Sequence, residues 1–258
     1  MSYLPRADAA TTADWAALID EFDRWQTAGR VATLWWRDDD AVTPTAQLKT
    51  LLQLAGGVPL GLAVIPALAH PELADALREA PEIAVLPHGW RHANHAVRGK
   101  KSEYSQGRPA AAVTAELSDG LERLCALFGA RSLPMLVPPW NRIAPEFLPL
   151  LSSVGLQGLS TMASNHPPAL PPGLAAADVH VDLVAWHGDR GFVGTAAALD
   201  SLLEWLQTAR QSDHAAPIGI LTHHLIIDSP TVSFLERLIA IVTAHAGVRW
   251  AAPTELLP

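Results

Sequence analysis

Three adjacent carboxylates are the first group in the sequence that could do chemistry. Asp38, Asp39 and Asp40 follow the apolar run Val-Ala-Thr-Leu-Trp-Trp, with Arg37 between. Like charges this close repel one another, so a buried strand that ends in them needs a cation or an arginine to offset the charge. A solvated turn is the competing interpretation, and the three residues alone favour neither.

Histidines form the second group, His88-Gly-Trp-Arg-His92-Ala-Asn-His95, directly after the run Ile-Ala-Val-Leu-Pro. His88 and His92 are four residues apart, and on a helical turn this spacing points both imidazoles at one position, as a divalent metal requires. Two unrelated histidines are the alternative. Because barrel enzymes assemble their sites where the C-terminal ends of strands meet, the place of the pair after a strand favours a metal site.

Two further groups also follow strand-like runs. In the segment Val137-Pro138-Pro139-Trp140-Asn141-Arg142, the prolines fix the backbone, so the amides of Trp140 and Asn141 could point toward a ligand oxygen. A rigid turn is the alternative. His223 and His224 end the run Ile-Leu-Thr, and a histidine there could donate a proton near neutral pH. A purely structural histidine is the competing interpretation for either one.

Tryptophan is over-represented, with nine residues against five Phe and two Tyr. Broad rings with one polar atom, placed beside polar site residues, suit a ligand with apolar faces and hydroxyl edges, such as a sugar. Five of the tryptophans lie in or beside the polar groups: Trp35, Trp36, Trp90, Trp140 and Trp186.

Composition excludes several classes of function. The 258 residues carry 18 Lys+Arg against 26 Asp+Glu, a formal net charge of −8. Nucleic-acid binding needs clustered cations, and only Arg98, Lys100 and Lys101 are grouped, so no nucleic-acid partner is expected. No apolar stretch approaches the roughly 20 residues of a membrane span, so no membrane partner is expected either. The N-terminal stretch lacks the pattern of a signal peptide, and we expect a cytoplasmic protein.

Apolar runs of strand length alternate with helical patterns along the chain. Such alternation predicts right-handed crossovers and a parallel sheet, and seven or eight strands in about 250 residues fit an α/β fold of the TIM-like, irregular (β/α) barrel type, with residues 1–258 forming one domain. The predicted strands are 31–36, 60–65, 83–86, 135–137, 179–184 and 218–221, with 248–250 as a further candidate.

Local signals give some helix ends. Thr43 before Pro44 is typical of a first helical turn, and Gly129 after Phe128 of a helix end. The single cysteine, Cys125, is predicted to be a buried small hydrophobe.

In chain order, these groups resemble the motifs of the polysaccharide deacetylase family, carbohydrate esterase family four. The family's T-F-D-D-G, H-[ST]-x-x-H, R-x-P-[YW]-G, Asp/Trp and L-x-H motifs have counterparts here. They are Arg-Asp38-Asp39-Asp40-Ala41, His88-Gly-Trp-Arg-His92, Pro138-Pro139-Trp140-Asn141, Asp182 with Trp186, and Leu221-Thr222-His223.

The resemblance implies a distorted (β/α) barrel and one divalent metal ion, commonly zinc. Carried over residue by residue, it makes Asp40, His88 and His92 the metal ligands, with His95 in reserve. Asp39 becomes the general base. A match shifted by one residue would instead make Asp38 the base and Asp39 the ligand.

The remaining roles complete the expected reaction, the removal of an acetyl or similar acyl group from an N-acylated sugar or related amide. The Trp140 backbone amide would hold the oxyanion, and His223 would protonate the departing amine, with His224 as its substitute.

The sequence departs from the family pattern in two places. The motif arginine that would pair with the base falls near Leu136, so Arg37 or Arg142 would have to supply it. The role of Asp182, which in the family holds that arginine, is therefore open. Gly89 stands where the family has a hydroxyl residue. Two alternatives therefore remain: a metal hydrolase of a small non-sugar amide or phosphoester, and a carbohydrate-binding domain that has lost catalysis.

Overall fold

The structure is a computed structural model that describes residues 12–167, 169–212 and 216–258. Nine strands lie in this part of the chain: β1 (Ala32–Ala41), β2 (Leu60–Val64), β3 (Ile83–Pro87), β4 (Met135–Leu136), β5 (Gly158–Leu159), β6 (Ala175–Ala176), β7 (Val179–Asp182), β8 (Ile218–Thr222) and β9 (Val248–Trp250). Seven α-helices are interleaved with them: α1 (Thr12–Thr27), α2 (Ala46–Ala55), α3 (Pro71–Ala76), α4 (Ala110–Phe128), α5 (Leu148–Ser153), α6 (Thr195–Gln211) and α7 (Ser229–Ala244).

The strands form two parallel sheets that bridges join into a ring. One sheet has the order β3-β2-β1-β8-β7, with β9 paired to the start of β1, and the other has the order β4-β5-β6. A parallel bridge between His88 and Val137 links the ends of β3 and β4, and one between Met162 and Val179 links the end of β5 to β7. The predicted irregular (β/α) barrel is confirmed.

Strand β1 shows which side chains face the inside of the barrel. Trp35 packs in the interior cluster with residues of the other strands, whereas Leu34 and Trp36 pack outward in the larger cluster between strands and helices. Because successive side chains in a strand alternate between faces, Arg37 and Asp39 share the inner face with Trp35.

A bulge ends this regular alternation. The β1–β2 register advances three residues on β1, from Asp38 to Ala41, against two on β2. Asp40 lies in this step with a φ of 72°, which is rare for a residue other than glycine. Bulges beside active sites turn a side chain in a new direction. Because of this bulge, the side chain of Asp40 points in a different direction from those of Asp38 and Asp39.

The sequence located seven of the nine strands, and missed β5 and β6, which have only two residues each. Gly129 does end α4, with a φ of 58°. The predicted helix start at Thr43 and Pro44 is wrong: α2 begins at Ala46, because the side chain of Thr45 accepts the Leu48 amide and caps the helix.

The prediction of a buried Cys125 is also wrong, since this residue is exposed. The buried face of α4 runs through Val113, Leu117, Gly120, Leu124 and Phe128, and Cys125 follows Leu124 by one residue, about 100° around the helix.

Within the described residues, no helix combines the length and the apolar character needed to cross a bilayer.

Candidate functional site

Three side chains converge at the C-terminal end of the barrel. Asp40 Oδ1 lies 3.3 Å from His88 Nε2 and 3.4 Å from His92 Nε2, and the potential ligand atoms of all three residues lie within 4.8 Å of one another. Three tetrahedral ligands at zinc distances from one ion are separated from each other by about 3.3–3.6 Å. We call Asp40, His88 and His92 the ligand triad.

The hydrogen bonding of His88 shows that Nδ1 donates and that Nε2 is the acceptor nitrogen of the neutral ring. His88 is buried, and its Nδ1 lies 3.0 Å from the Val137 carbonyl oxygen, which can only accept a hydrogen bond. With the proton on Nδ1, the lone pair of Nε2 faces the carboxylate of Asp40. Two acceptors at this distance need either a proton on Nε2 or a metal ion between them, and a backbone carbonyl behind a metal-ligating histidine is a common arrangement.

The charges within the ligand triad favour a bound cation. Burial raises the pKa of Asp40, but the hydrogen bond from His88 and the nearby histidines outweigh it and hold that pKa well below its ordinary value. Burial lowers the pKa of His88, yet the carboxylates of Asp39 and Asp40 raise it above 6.5. The pKa of His92 is lowered by burial and by His88. Asp40 is thus a carboxylate at neutral pH, ready to accept positive charge.

Asp39 lies beside the ligand triad and is held by Arg37. The Arg37 Nε atom lies 2.9 Å from Asp39 Oδ1, and its Nη2 donates to Asp39 Oδ2 at 3.0 Å. Nη1 donates to Ser160 Oγ at 2.7 Å, and Nη2 also donates to Asn141 Oδ1 at 2.6 Å. Both charged residues are almost completely buried. Arg37 therefore gives Asp39 an arginine partner, which the motif comparison did not find near Leu136.

His223 faces Asp39 from the end of β8. Its Nε2 atom lies 4.0 Å from Asp39 Oδ2, and its Nδ1 atom is buried with no hydrogen-bond partner in the described residues. The ring of Trp186 stands edge-on to His223 at 4.8 Å, and its Nε1 donates to Asp182 Oδ2 at 2.7 Å. Asp182 thus orients Trp186 and does not contact Arg37 in the described hydrogen-bond and ion-pair network.

Trp140 forms the wall on the other side. Its ring lies 4.3 Å from the ring of His92, and its backbone has a left-handed φ of 56°. The neighbouring Asn141 amide donates to the Pro138 carbonyl oxygen at 2.9 Å, so of the two amides singled out from sequence only that of Trp140 stays a candidate for holding an oxyanion.

Asp38 and His224 form a separate buried pair. His224 Nδ1 lies 2.5 Å from Asp38 Oδ1, and Thr222 Oγ1 donates to Asp38 Oδ2 at 2.7 Å. Trp36 Nε1 donates in turn to the same threonine oxygen. This network lies on the outer face of β1, and the geometry therefore offers no support for the shifted match that uses Asp38 as base and Asp39 as ligand.

Other residues suggested by the sequence also lie outside the converging group. His95 is exposed and is not part of the ligand triad. Arg142 donates to the carbonyl oxygen of Lys101 and makes no ion pair with a carboxylate in the described chain. Trp35 and Trp36 are fully buried, so they pack the barrel wall, and Trp186 is the exposed ring, with 43 % of its surface accessible.

Comparisons with known proteins agree on the fold. No family model matches the sequence, and no curated protein does. Among solved structures, a Mycobacterium smegmatis protein assigned to the polysaccharide deacetylases is 19 % identical with a TM-score of 0.67, covering 88 % of this chain and 89 % of its own.

Two further structures carry relevant bound groups. A family 4 carbohydrate esterase from Streptomyces lividans in complex with acetate is 16 % identical with a TM-score of 0.56, covering 88 % of this chain and 96 % of its own. A family 4 acetyl xylan esterase from Clostridium thermocellum in complex with a cobalt ion is 12 % identical with a TM-score of 0.55, covering 87 % and 89 %. The chain thus has the fold of the family 4 carbohydrate esterases and polysaccharide deacetylases over about 88 % of its length.

Proposed function

We propose that the protein is a metal-dependent deacylase that hydrolyses the amide of an N-acylated sugar or a related small amide. The observation that carries the proposal is the convergence of Asp40, His88 and His92, with Asp39 and His223 beside them. Cobalt and acetate bound to proteins of the same fold support a divalent metal and an acyl substrate.

The ligand triad fits a divalent cation by the chemistry of its donors. One carboxylate and two imidazoles suit zinc or a similar ion, and three protein ligands leave a position open, as catalytic zinc sites do. Such a cation would supply Lewis acidity, which makes a water acidic and polarises an acyl carbonyl.

Asp39 and His223 supply the two proton transfers. Asp39, fixed by Arg37, takes a proton from the attacking water, whose oxygen forms a bond to the acyl carbon. The Trp140 amide donates a hydrogen bond to the carbonyl oxygen as negative charge develops there. His223 gives a proton to the nitrogen when the carbon–nitrogen bond breaks, so a carboxylic acid and a free amine leave.

The two aromatic walls favour a sugar ring as the substrate. Trp140 lies against His92 on one side, and the half-exposed Trp186 lies against His223 on the other. Flat rings that flank a polar site bind the apolar faces of a pyranose while its hydroxyls face polar groups. The same walls accept other small amides of similar size, which defines the range of substrates to be screened.

The proposal is tested by acetate release from N-acetylated sugars, measured with and without a chelator. The native protein is expected to release acetate only when its metal is present. The variants H88A and H92A are expected to lose both metal and activity, whereas H95A, a histidine exposed beside the site, is the matched control and keeps both. Hydrolysis that persists in the chelated protein or in H88A would contradict the proposal.

The alternatives predict different results when the same screen also includes phosphoesters and measures phosphate release and sugar binding. A hydrolase of phosphoesters would release phosphate and no acetate. A binding domain without catalysis would retain metal and sugar but release neither product. The Arg37–Asp39 pair speaks against lost catalysis, because the arginine whose absence suggested it is supplied from β1.

A further inference from the structure

Glu103 is a buried carboxylate with backbone amides as its partners. It is 1 % exposed, and its carboxylate makes no ion pair with a Lys, Arg or His side chain in the described part of the chain; Arg108 donates to its backbone carbonyl oxygen at 3.1 Å and pairs with Glu116. Its Oε2 atom accepts the amide of Trp90 at 3.0 Å, and Oε1 accepts the amides of Arg91 and Ala93 at 2.8 and 3.2 Å. All three amides belong to residues 88–93, which carry two members of the ligand triad and which we call the histidine loop.

The histidine loop has a backbone shape that needs support. Gly89 and His92 both have left-handed φ values, 62° and 57°. For a residue other than glycine, this conformation is strained and persists only where the surroundings impose it. The three amides held by Glu103 lie between these two positions and just after the second, so the carboxylate fixes the turn that directs His92 toward Asp40.

Glu103 and Pro139 pack tightly against the backbone of Gly89. A Cβ atom at this position would collide with Glu103 Oε2 and would lie 2.6 Å from Pro139 Cδ. The carboxylate therefore fills the space in which a side chain would otherwise stand, and the hydroxyl residue of the family pattern has no room here.

The long segment after the histidine loop folds back to deliver Glu103. Asn94 Oδ1 accepts the amides of Ala96 and Ser102, and the His95 amide donates to the Ser102 carbonyl oxygen at 3.0 Å. These bonds close the excursion between residues 94 and 102. The chain thus returns to the histidine loop, where the Glu103 carboxylate accepts the three amide hydrogen bonds.

We propose that Glu103 is a positioning residue of the metal centre, whose carboxylate holds the histidine loop in the shape that lets both histidines reach one cation. The inference rests on the proposed function, because it requires that the ligand triad binds a metal. A buried carboxylate that makes no ion pair is costly, and three donated amides offset that cost only while the loop keeps this shape.

The experiment is a Zn²⁺ titration of the metal-free protein in competition with a chromophoric chelator. The variant is E103Q, which keeps the size of the side chain but replaces one acceptor oxygen by a donor. The matched control is E21Q, because Glu21, on α1, is also a fully buried carboxylate; Arg210 of α6 holds it at 2.6 Å. Urea unfolding of the metal-free variants measures what each substitution does to stability.

E103Q is expected to weaken Zn²⁺ binding by about 10–100-fold, the range found for groups that orient metal ligands, while E21Q binds with native affinity. If Glu103 had only a structural role, E103Q and E21Q would both be less stable than the native protein, and both would bind Zn²⁺ with native affinity. That result would overturn the inference. If the native protein binds no Zn²⁺ at all, the proposed function fails, and this inference fails with it.

A second measurement needs no substitution, and so applies if E103Q does not fold. Hydrogen exchange in the metal-free native protein is expected to be slow at the amides of Trp90, Arg91 and Ala93, because Glu103 holds them before any metal binds. Exchange at the rate of a free loop at these three amides would overturn the inference.

Discussion

Replacing Arg37 by methionine tests the charge arrangement behind the proposed base. Methionine keeps an unbranched chain in the barrel interior but removes every donor. In the structure, the guanidinium contacts both carboxylate oxygens of Asp39, the hydroxyl and carbonyl oxygens of Ser160, and the amide oxygen of Asn141. R37M therefore removes the guanidinium that donates to the buried Asp39 carboxylate and leaves His223 Nε2, 4.0 Å away, as the nearest described cationic group.

The magnitude follows from the burial of the pair. Removing one member of a buried, hydrogen-bonded ion pair costs about 3–5 kcal/mol, because the other charge remains in a medium of low polarity. Arg37 and Asp39 are 0 % and 2 % exposed, so this range applies. R37M is expected to lower the free energy of unfolding by that amount and to lower the turnover number, since the base loses its fixed orientation.

The assay is urea unfolding of the metal-free protein, which separates this effect from metal binding. R142M is the matched control: Arg142 is the other arginine that could have paired with the base, and it donates only to a backbone oxygen near the surface. It is expected to change stability by less than about 1 kcal/mol.

The double variant R37M/D39N removes both charges and is expected to be more stable than the sum of the single losses predicts, by about 1–3 kcal/mol. A loss below about 1 kcal/mol in R37M, or strictly additive losses in the double variant, would refute the interpretation of the pair.

Three further predictions concern single residues around the site. G89A is expected to lower stability more than G99A, by about 1–3 kcal/mol in urea unfolding, because both glycines have left-handed backbones but only Gly89 lacks room for a Cβ atom; equal losses would contradict this. Burial lowers the pKa of His224, but Asp38 outweighs it and holds that pKa above 6.5, so the pair stabilises the fold fully below pH 6.5 and less as pH rises through the raised value. The difference in unfolding free energy between the native protein and H224N should therefore be largest below pH 6.5, and a difference independent of pH would disprove the assignment. H223Q is expected to lower the turnover number by about 10²–10⁴-fold with metal content unchanged, and native turnover would exclude His223 as the acid.

The sequence predicts the barrel because its strands are long apolar runs separated by helical patterns. It misses β5 and β6, since Gly158–Leu159 and Ala175–Ala176 are too short for any period to show. Ser160, which follows β5 and binds Arg37, was therefore invisible as a site residue.

The alternation of side chains along a strand predicts one contact of the site that the family motifs do not. Arg37 and Asp39 are two residues apart in β1, so alternation places them on one face, and their pairing follows from the sequence once the strand is extended to Ala41. The direction of Asp40 does not follow, because the bulge that turns it depends on the register with β2.

The role of Glu103, in contrast, cannot be predicted from local sequence order. It lies in a segment without helix or strand, ten or more residues from the amides it binds. Its role depends on a loop that folds back on itself, and no spacing between residue types indicates such a return. Conversely, the residue type of Trp35 and Trp36 suggested a sugar-binding wall, but both side chains are fully buried in strand β1 and pack against other residues.

The most direct test of the account is a crystal structure of the protein grown with Zn²⁺, with anomalous diffraction recorded at the zinc edge. We predict one ion per chain, bound at about 2.0–2.2 Å by a carboxylate oxygen of Asp40 and by Nε2 of His88 and His92. In D40N the peak should be absent, and in D38N it should remain. An ion bound elsewhere, or an undiminished peak in D40N, would contradict the account.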